Sequence, residues 1–258
     1  MKFSDVIKKA REKNLGRKGI KRRIKNIRKT EYGKYWQDVE KGTDGQWYAK
    51  DGTSFFYNGT VADMHPLTHE DFLNFIKSKD DIKTVLEVGC GDGFYPIKFK
   101  NLFENKEYLG LDIGEPAINF CKENSNFNFI CDDFIKMESS KKYDLIFSHA
   151  VIDHVYDIDS FLSRIVTSCK KYAYISAYRG YFPDLEDHKM HYDNSRGTYR
   201  SNLSAKKIKE VLVTNGLSQD EFSIKGQKGG ILLDQPYSKG LTGISTIIKI
   251  ERKSNSKK

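Results

Sequence analysis

The sequence predicts an α/β fold: a mostly parallel seven-stranded sheet with helices on both faces and an antiparallel C-terminal hairpin, preceded by an N-terminal helical and aromatic extension. Three observations carry this. Short apolar strand patterns alternate with helical patterns between residues 84 and 177. A turn with glycines at 89, 91 and 93 joins the first of these strands to the first helix. Two alternating patterns, EFSIKG (221–226) and ISTIIKI (244–250), close the chain. Strands separated by helices form parallel sheets covered on both faces, whereas the terminal pair suits a hairpin.

The elements follow in order. Residues 1–29 carry 13 Lys/Arg against 2 Asp/Glu, whereas the rest of the chain carries 31 against 33, so the net charge of +9 belongs to this basic arm. Phe3, Val6, Ile7 and Ala10 have helical spacing, Gly16 and Gly19 interrupt it, and IKRRIKNIRKT resumes it. Such an arm is a solvated amphipathic helix or a contact for nucleic acid, an anionic membrane or an acidic partner. Residues 30–80 are a lid or cap segment, turn-rich and aromatic at first, with both tryptophans. Thr68 is the expected cap of HEDFLNFIKS, with Asp71 three residues on.

Residues 81–250 form the main domain, with strands near 84–88, 107–112, 127–131, 144–148 and 172–177. Helices are expected over 94–104, 115–124 and 158–169. Ser204 caps SAKKIKEVLVTNG, which ends in a glycine after Asn215. Between them lies the insert 178–203, longer than the usual connection and with little periodicity; long loops of this kind are often binding loops. Residues 251–258 are a basic tail.

Composition bounds the setting. The four cysteines, at 90, 121, 131 and 169, form no C-x-x-C pair, which fits core packing in a reduced compartment. No run of 18 apolar residues exists and the N-terminus lacks an apolar signal core, so a cytoplasmic protein with no transmembrane segment is expected.

The chemistry begins at VLEVGCGDG, residues 85–93. Glycines let this turn adopt positive φ and let backbone approach a ligand closely. Asp112 follows Gly93 by nineteen residues at the end of YLGLD. A carboxylate there accepts hydrogen bonds from ribose hydroxyls, which describes a nucleoside-containing cofactor. The spacing E-x-G-x-G-x-G departs from the G-x-G-x-x-G that cradles a pyrophosphate.

This stretch resembles motif I of the class I, Rossmann-like S-adenosylmethionine-dependent methyltransferases. FICDDF (129–134) is similar to the family's third motif and YDLIFSHAVIDHV (143–155) to its fourth. The resemblance covers roughly residues 81–178 and implies S-adenosyl-L-methionine as cofactor. It implies a binding set of Glu87, Gly89, Cys90, Gly91, Gly93, Asp112 with Ile113, Asp132 or Asp133 near the adenine amine, Phe134 beside the ring, and Ser148 at the strand end facing the transferred methyl.

Six histidines fall into three pairs: His65 and His69, His149 and His154, His188 and His191. Methyl transfer from a sulfonium is an in-line displacement that needs alignment and, for an alcohol acceptor, a base. A histidine, with a pKa near ~6.5, suits that task. His149 follows the fourth strand directly and is the first choice; Asp153 and His154 come next, one orienting the other or capping a helix. In the insert, Arg179, Tyr181, His188, His191 and Arg196 are the expected acceptor contacts, with Arg200 beside them. A metal-assisted alternative would use His188 and His191 with Asp184, Glu186, Asp187 and Asp193; no metal site is assigned.

The expected reaction is O-methylation of a small polar or anionic molecule, such as a sugar, nucleotide-sugar or phosphorylated metabolite of surface-polysaccharide synthesis. The alternatives are an RNA methyltransferase that uses the basic arm and a non-catalytic cofactor-binding protein. Against RNA stands the absence of a recognisable binding module and of a D/N-P-P-Y form in the fourth motif. Against a non-catalytic protein stand the intact Glu87, glycine loop and Asp112.

Overall fold

A computed structural model describes residues 32–49, 54–55, 65–193, 197–228 and 244–253. The basic arm at 1–29, Arg196 and the last five residues of the tail lie outside the described residues.

The first described element is the short helix α1 (Lys34–Gln37), and a small antiparallel sheet follows: β1 (Val39–Lys41), β2 (Trp47–Ala49) and β3 (Ser54–Phe55). Helix α2 (Pro66–Lys77) starts earlier than its expected cap at Thr68. Proline at the first helical position has no N–H to leave unsatisfied and a φ already suited to the helix. His65 therefore occupies the N-cap, and Thr68 is buried inside the helix, 3.5 Å from Ser245 Oγ.

The central sheet contains β4 (Thr84–Val88), β5 (Glu107–Asp112), β6 (Asn128–Cys131), β7 (Tyr143–His149) and β8 (Cys169–Ala177), all parallel. Two later strands, β11 (Phe222–Lys228) and β12 (Ile244–Glu251), complete it as an antiparallel pair, with β12 against β8. The strand order is β11-β12-β8-β7-β4-β5-β6. Connections therefore diverge between β4 and β7, and ligands of open α/β sheets bind beyond the strand ends at such a point.

Helices cover both faces. On one side α6 (Ile158–Ser168) and α7 (Ala205–Thr214) bury Phe161, Leu162, Ile165, Ile208 and Leu212. On the other, α2, α3 (Phe94–Lys98), α4 (Lys100–Phe103) and α5 (Glu115–Asn124) bury Phe72, Phe75, Tyr95, Phe103 and Ile118. The single helix expected over 94–104 is two short ones, because Phe99 leaves the helical region at φ −114°, ψ 41°. Helix α6 is capped by Asp157, whose carboxylate accepts from the Ser160 amide at 3.0 Å, so neither Asp153 nor His154 caps it. Ser204 caps α7 by accepting from the Lys207 amide.

The insert is more regular than its sequence suggests. It holds an antiparallel pair, β9 (Lys189–Asp193) and β10 (Thr198–Asn202). Amides of Tyr199 and Ser201 donate to the carbonyls of His154 and Asp153, docking the hairpin against the loop after β7. These partners lie more than forty residues upstream, beyond what local periodicity can reveal.

Candidate functional site

The glycine turn shapes a cleft beyond the ends of β4, β5 and β7. Gly89, Gly91 and Gly93 all have positive φ, at 76°, 55° and 74°. Gly89 needs more than that freedom: a Cβ there would lie 2.1 Å from Val151 Cγ2. The loop after β7 approaches this closely because Ala150 turns at φ 57°, a conformation that few non-glycine residues adopt. Such turns concentrate at functional sites.

The cleft is open to solvent, with about 530 Å³ of free space counting that open part. Val88, Leu111, Phe134 and Val151 supply apolar wall, and Asp112 and Asp133 supply two carboxylates. Among the described residues that line it, none is lysine or arginine. That donor set suits a cationic nucleoside and not a pyrophosphate, which would require cations or a helix N-terminus aimed at it. The residues present therefore fit S-adenosylmethionine.

Asp112 also holds the site together. Its two oxygens accept from the amides of Gly91, at 2.9 Å, and Gly114, at 2.8 Å. Burial raises its carboxyl above the ordinary value, and the amides of Gly114 and Gly91 oppose that rise. Ile113 lines the cleft beside it. Asp133 and Phe134 line the far end, whereas Asp132 does not; its carboxylate accepts from the Asp133 amide at 2.7 Å. Asp133 accepts from Tyr156 Oη at 2.9 Å and from the Ile135 amide at 3.0 Å.

Glu87, Cys90 and Ser148 are buried and are not among the cleft-lining residues. Glu87 accepts from Tyr108 Oη, tying β4 to β5. The Cys90 and Cys121 thiols both donate to the Gly91 carbonyl, under the loop.

The histidine pairs separate. His149 does not line the cleft, contrary to its expected place at the transfer point. Side chains two apart on a strand share a face, so His149 follows Phe147 into the aromatic layer. Its ring stacks on Tyr95 at 4.9 Å and meets Phe72 edge-on at 4.7 Å. Nδ1 is 2.7 Å from Ser176 Oγ, and Nε2 is buried with no hydrogen-bond partner among the described residues. Burial depresses its pKa to about 3. Nearby, His65 stacks on Tyr178 at 3.9 Å and His69 Nδ1 is 3.2 Å from Tyr95 Oη.

His154 does line the cleft. Its Nδ1 is 2.8 Å from the Tyr199 carbonyl, which can only accept, so the proton sits on Nδ1 and Nε2 carries the lone pair. Arg179 Nη2 is 3.4 Å from that Nε2, and Arg179 Nε is 3.0 Å from the Asp153 carboxylate. Burial lowers the His154 pKa to about 4, with Asp153 pulling the other way.

Other insert residues are placed differently. His188 Nδ1 accepts from the Ser204 amide at 3.0 Å and Nε2 lies 3.6 Å from Asp159, which ties the insert to α6. His191 is exposed on β9, opposite Arg200, and Tyr181 is half-buried. Asp193 pairs with Arg200 at 3.2 Å. Among the described residues, no three His, Cys, Asp or Glu side chains are grouped to hold a metal ion. None of their helices is long and apolar enough to cross a membrane.

Two cleft residues carried no motif: Tyr32 and Trp36, from the N-terminal segment. Their only signal was the aromatic density of that stretch.

Comparison with known proteins agrees with this geometry. The family model described as a methyltransferase domain matches residues 79–217. The chain is similar to malonyl-[acyl-carrier protein] O-methyltransferase 2 of Ilyobacter polytropus, 36% identical over 99 residues; the match covers 34% of this chain and 38% of that protein's length. Among solved structures, a putative S-adenosylmethionine-dependent methyltransferase from Listeria monocytogenes superposes with a TM-score of 0.52 at 14% identity, covering 73% of this chain and 100% of the other. The plantazolicin methyltransferase BpumL, solved with S-adenosylhomocysteine, gives 0.51 at 17% identity, covering 72% and 83%. With the sheet order and the glycine turn, the match over most of the sheet shows that this chain belongs to the methyltransferase-domain family, although it spans little more than a third of the length of the curated relative above.

Proposed function

We propose that the enzyme methylates an oxygen of a small polar or anionic acceptor, with His154 as the residue that receives the acceptor's proton. The observation that carries this is the position of His154 as the one histidine among the cleft-lining residues, with Nε2 unprotonated. A base must be neutral to act, and a pKa near 4 keeps the ring neutral at pH 7. Arg179, held by Asp153, places a cation next to that nitrogen, where it favours an acceptor with negative charge.

Bound in the cleft, S-adenosylmethionine supplies an electrophilic methyl group. The protein aligns the acceptor oxygen with it, excludes water with apolar walls and takes up the proton. Sugars, nucleotide-linked sugars and phosphorylated metabolites belong to this acceptor class. The Ilyobacter relative is named for a malonyl-[acyl-carrier protein] acceptor instead, and a malonyl carboxylate would need no base.

The test is transfer of a radiolabelled methyl group to a panel of hydroxyl, carboxylate and amine acceptors, followed by mild alkali. Methyl esters release methanol, ethers do not, and label found on nitrogen alone would refute the proposal. A second reading, methylation of RNA, draws on the +11 charge of residues 1–29. It requires that deleting residues 1–28 abolish salt-dependent RNA binding while S-adenosylhomocysteine affinity stays intact.

A further inference from the structure

The methyltransferase-domain match begins at residue 79, yet two of the cleft's walls come from residues 32 and 36. Tyr32 is half-buried, and the carboxylates of Asp133 and Asp112 add to burial in raising its phenol pKa. Its ring meets Tyr156 edge-on at 4.9 Å, and Tyr156 in turn bonds Asp133. Trp36 lies 6.2 Å from Tyr32 and edge-on to His154 at 6.1 Å. Together the two aromatics span the cleft from its two carboxylates to its histidine.

The segment behind them is fastened at two places, both on loops that form the cleft floor. The first is the loop after β5. Gln37 donates through Nε2 to the Ile113 carbonyl and accepts through Oε1 from the Glu115 amide at 3.3 Å. The backbones are close here: a Cβ on Gly114 would lie 3.2 Å from the Trp36 carbonyl, and one on Gly33 would lie 3.1 Å from Ile113 Cδ1. The second is the glycine turn itself. Trp47 donates its indole N–H to Asp92 at 3.1 Å, and Lys41 lies 3.9 Å from the same carboxylate and 3.5 Å from the centre of the Phe120 ring. Val39 and Trp47 pack on Ala117 of α5.

We infer that residues 32–49 are a strap forming the outer wall of the cofactor site, with Tyr32 and Trp36 covering the adenosine part of S-adenosylmethionine and Gln37 and Trp47 fastening the strap. Aromatic side chains are suited to this because they offer large flat contact with a purine at little cost in side-chain entropy. Asp92 and Gln37 act on the cofactor only through the strap, so they are positioning residues. A ligand beneath the strap exchanges as fast as the strap lifts, which separates exchange rate from the chemistry of transfer.

The experiment uses the full chain and radiolabelled S-adenosylhomocysteine, chased with excess unlabelled compound. Gln37→Ala and Trp47→Phe each remove one fastening and keep the cleft-lining rings. Each is expected to speed dissociation by about 5–10-fold, Trp47→Phe through the loss of one hydrogen bond and Gln37→Ala through the loss of two exposed ones. Trp36→Ala should weaken equilibrium binding by about 10-fold or more. Saturating S-adenosylhomocysteine should also slow tryptic cleavage after Lys34 and Lys41 in the parent protein. Parent-like dissociation in both fastening variants, with cleavage after Lys34 and Lys41 indifferent to ligand, would overturn the inference. The proteolysis arm uses unaltered protein, so a variant that fails to fold leaves the question decided.

Discussion

The Nδ1 of His154 lies 2.8 Å from the carbonyl of Tyr199, and that contact sets which ring nitrogen of the cleft histidine is basic. The bond spans forty-five positions and exists because β10 docks on the loop after β7. It separates the two histidines of the fourth-strand motif. His154→Ala should lower kcat by roughly 10²–10⁴-fold toward a hydroxyl acceptor, the usual cost of removing a base. His149→Ala should leave cofactor affinity and most of kcat in place and reduce stability. Steady-state kinetics with a calorimetric check of S-adenosylhomocysteine binding decides between them; the reverse ranking would return the base to His149. Because the His154 pKa is about 4, the rate should stay level from neutral pH down to about 5 and fall only as pH approaches 4.

Buried His149 and half-buried His154 make stability depend on pH in one direction. Burial lowers them to about 3 and about 4, against roughly 6.5 in the unfolded chain. Between those values the unfolded state binds more protons, so stability is full above about pH 6.5 and declines as pH falls toward 4. Each histidine contributes a slope of up to about 1.4 kcal/mol per pH unit. Urea midpoints measured from pH 7 to 4.5 should show the decline, and His149→Phe, which keeps a ring in the aromatic layer, should flatten it.

Gly89→Ala tests the close approach of the two loops. The new Cβ would overlap Val151 Cγ2 at 2.1 Å and sit at φ 76°, costing about 1–3 kcal/mol for the backbone alone. Thermal denaturation should show a lower Tm, and calorimetry a cofactor affinity at least about 10-fold weaker. Adding Val151→Ala removes the overlapping methyl and should restore part of both losses. No recovery would mean that the overlap is not the cause.

Asp112→Ala removes a carboxylate that fastens the glycine turn and the loop after β5 through two amides. S-adenosylhomocysteine binding should weaken by about 1–3 kcal/mol. Asp132→Ala, in an exposed side chain outside the cleft, should change it little. Equal effects from the two would contradict the geometry of the site.

Much of this was written in local sequence. The glycine turn, Asp112 and the alternation of strands and helices are legible because φ preference, strand period and helix period act over a few residues. Sequence alone therefore determined the parallel sheet, the terminal hairpin and the glycine turn beside Asp112. It could not determine which histidine lines the cleft. His149 and His154 are five residues apart in one motif, and only the turn at Ala150 and the docking of β10 send one into the aromatic layer and the other to the cleft. Nor could it place Tyr32 and Trp36, which reach the site through contacts with residues 113–115 and Asp92. Those decisions belong to tertiary structure because they depend on pairings across long stretches of chain, and no local propensity records a partner so far away.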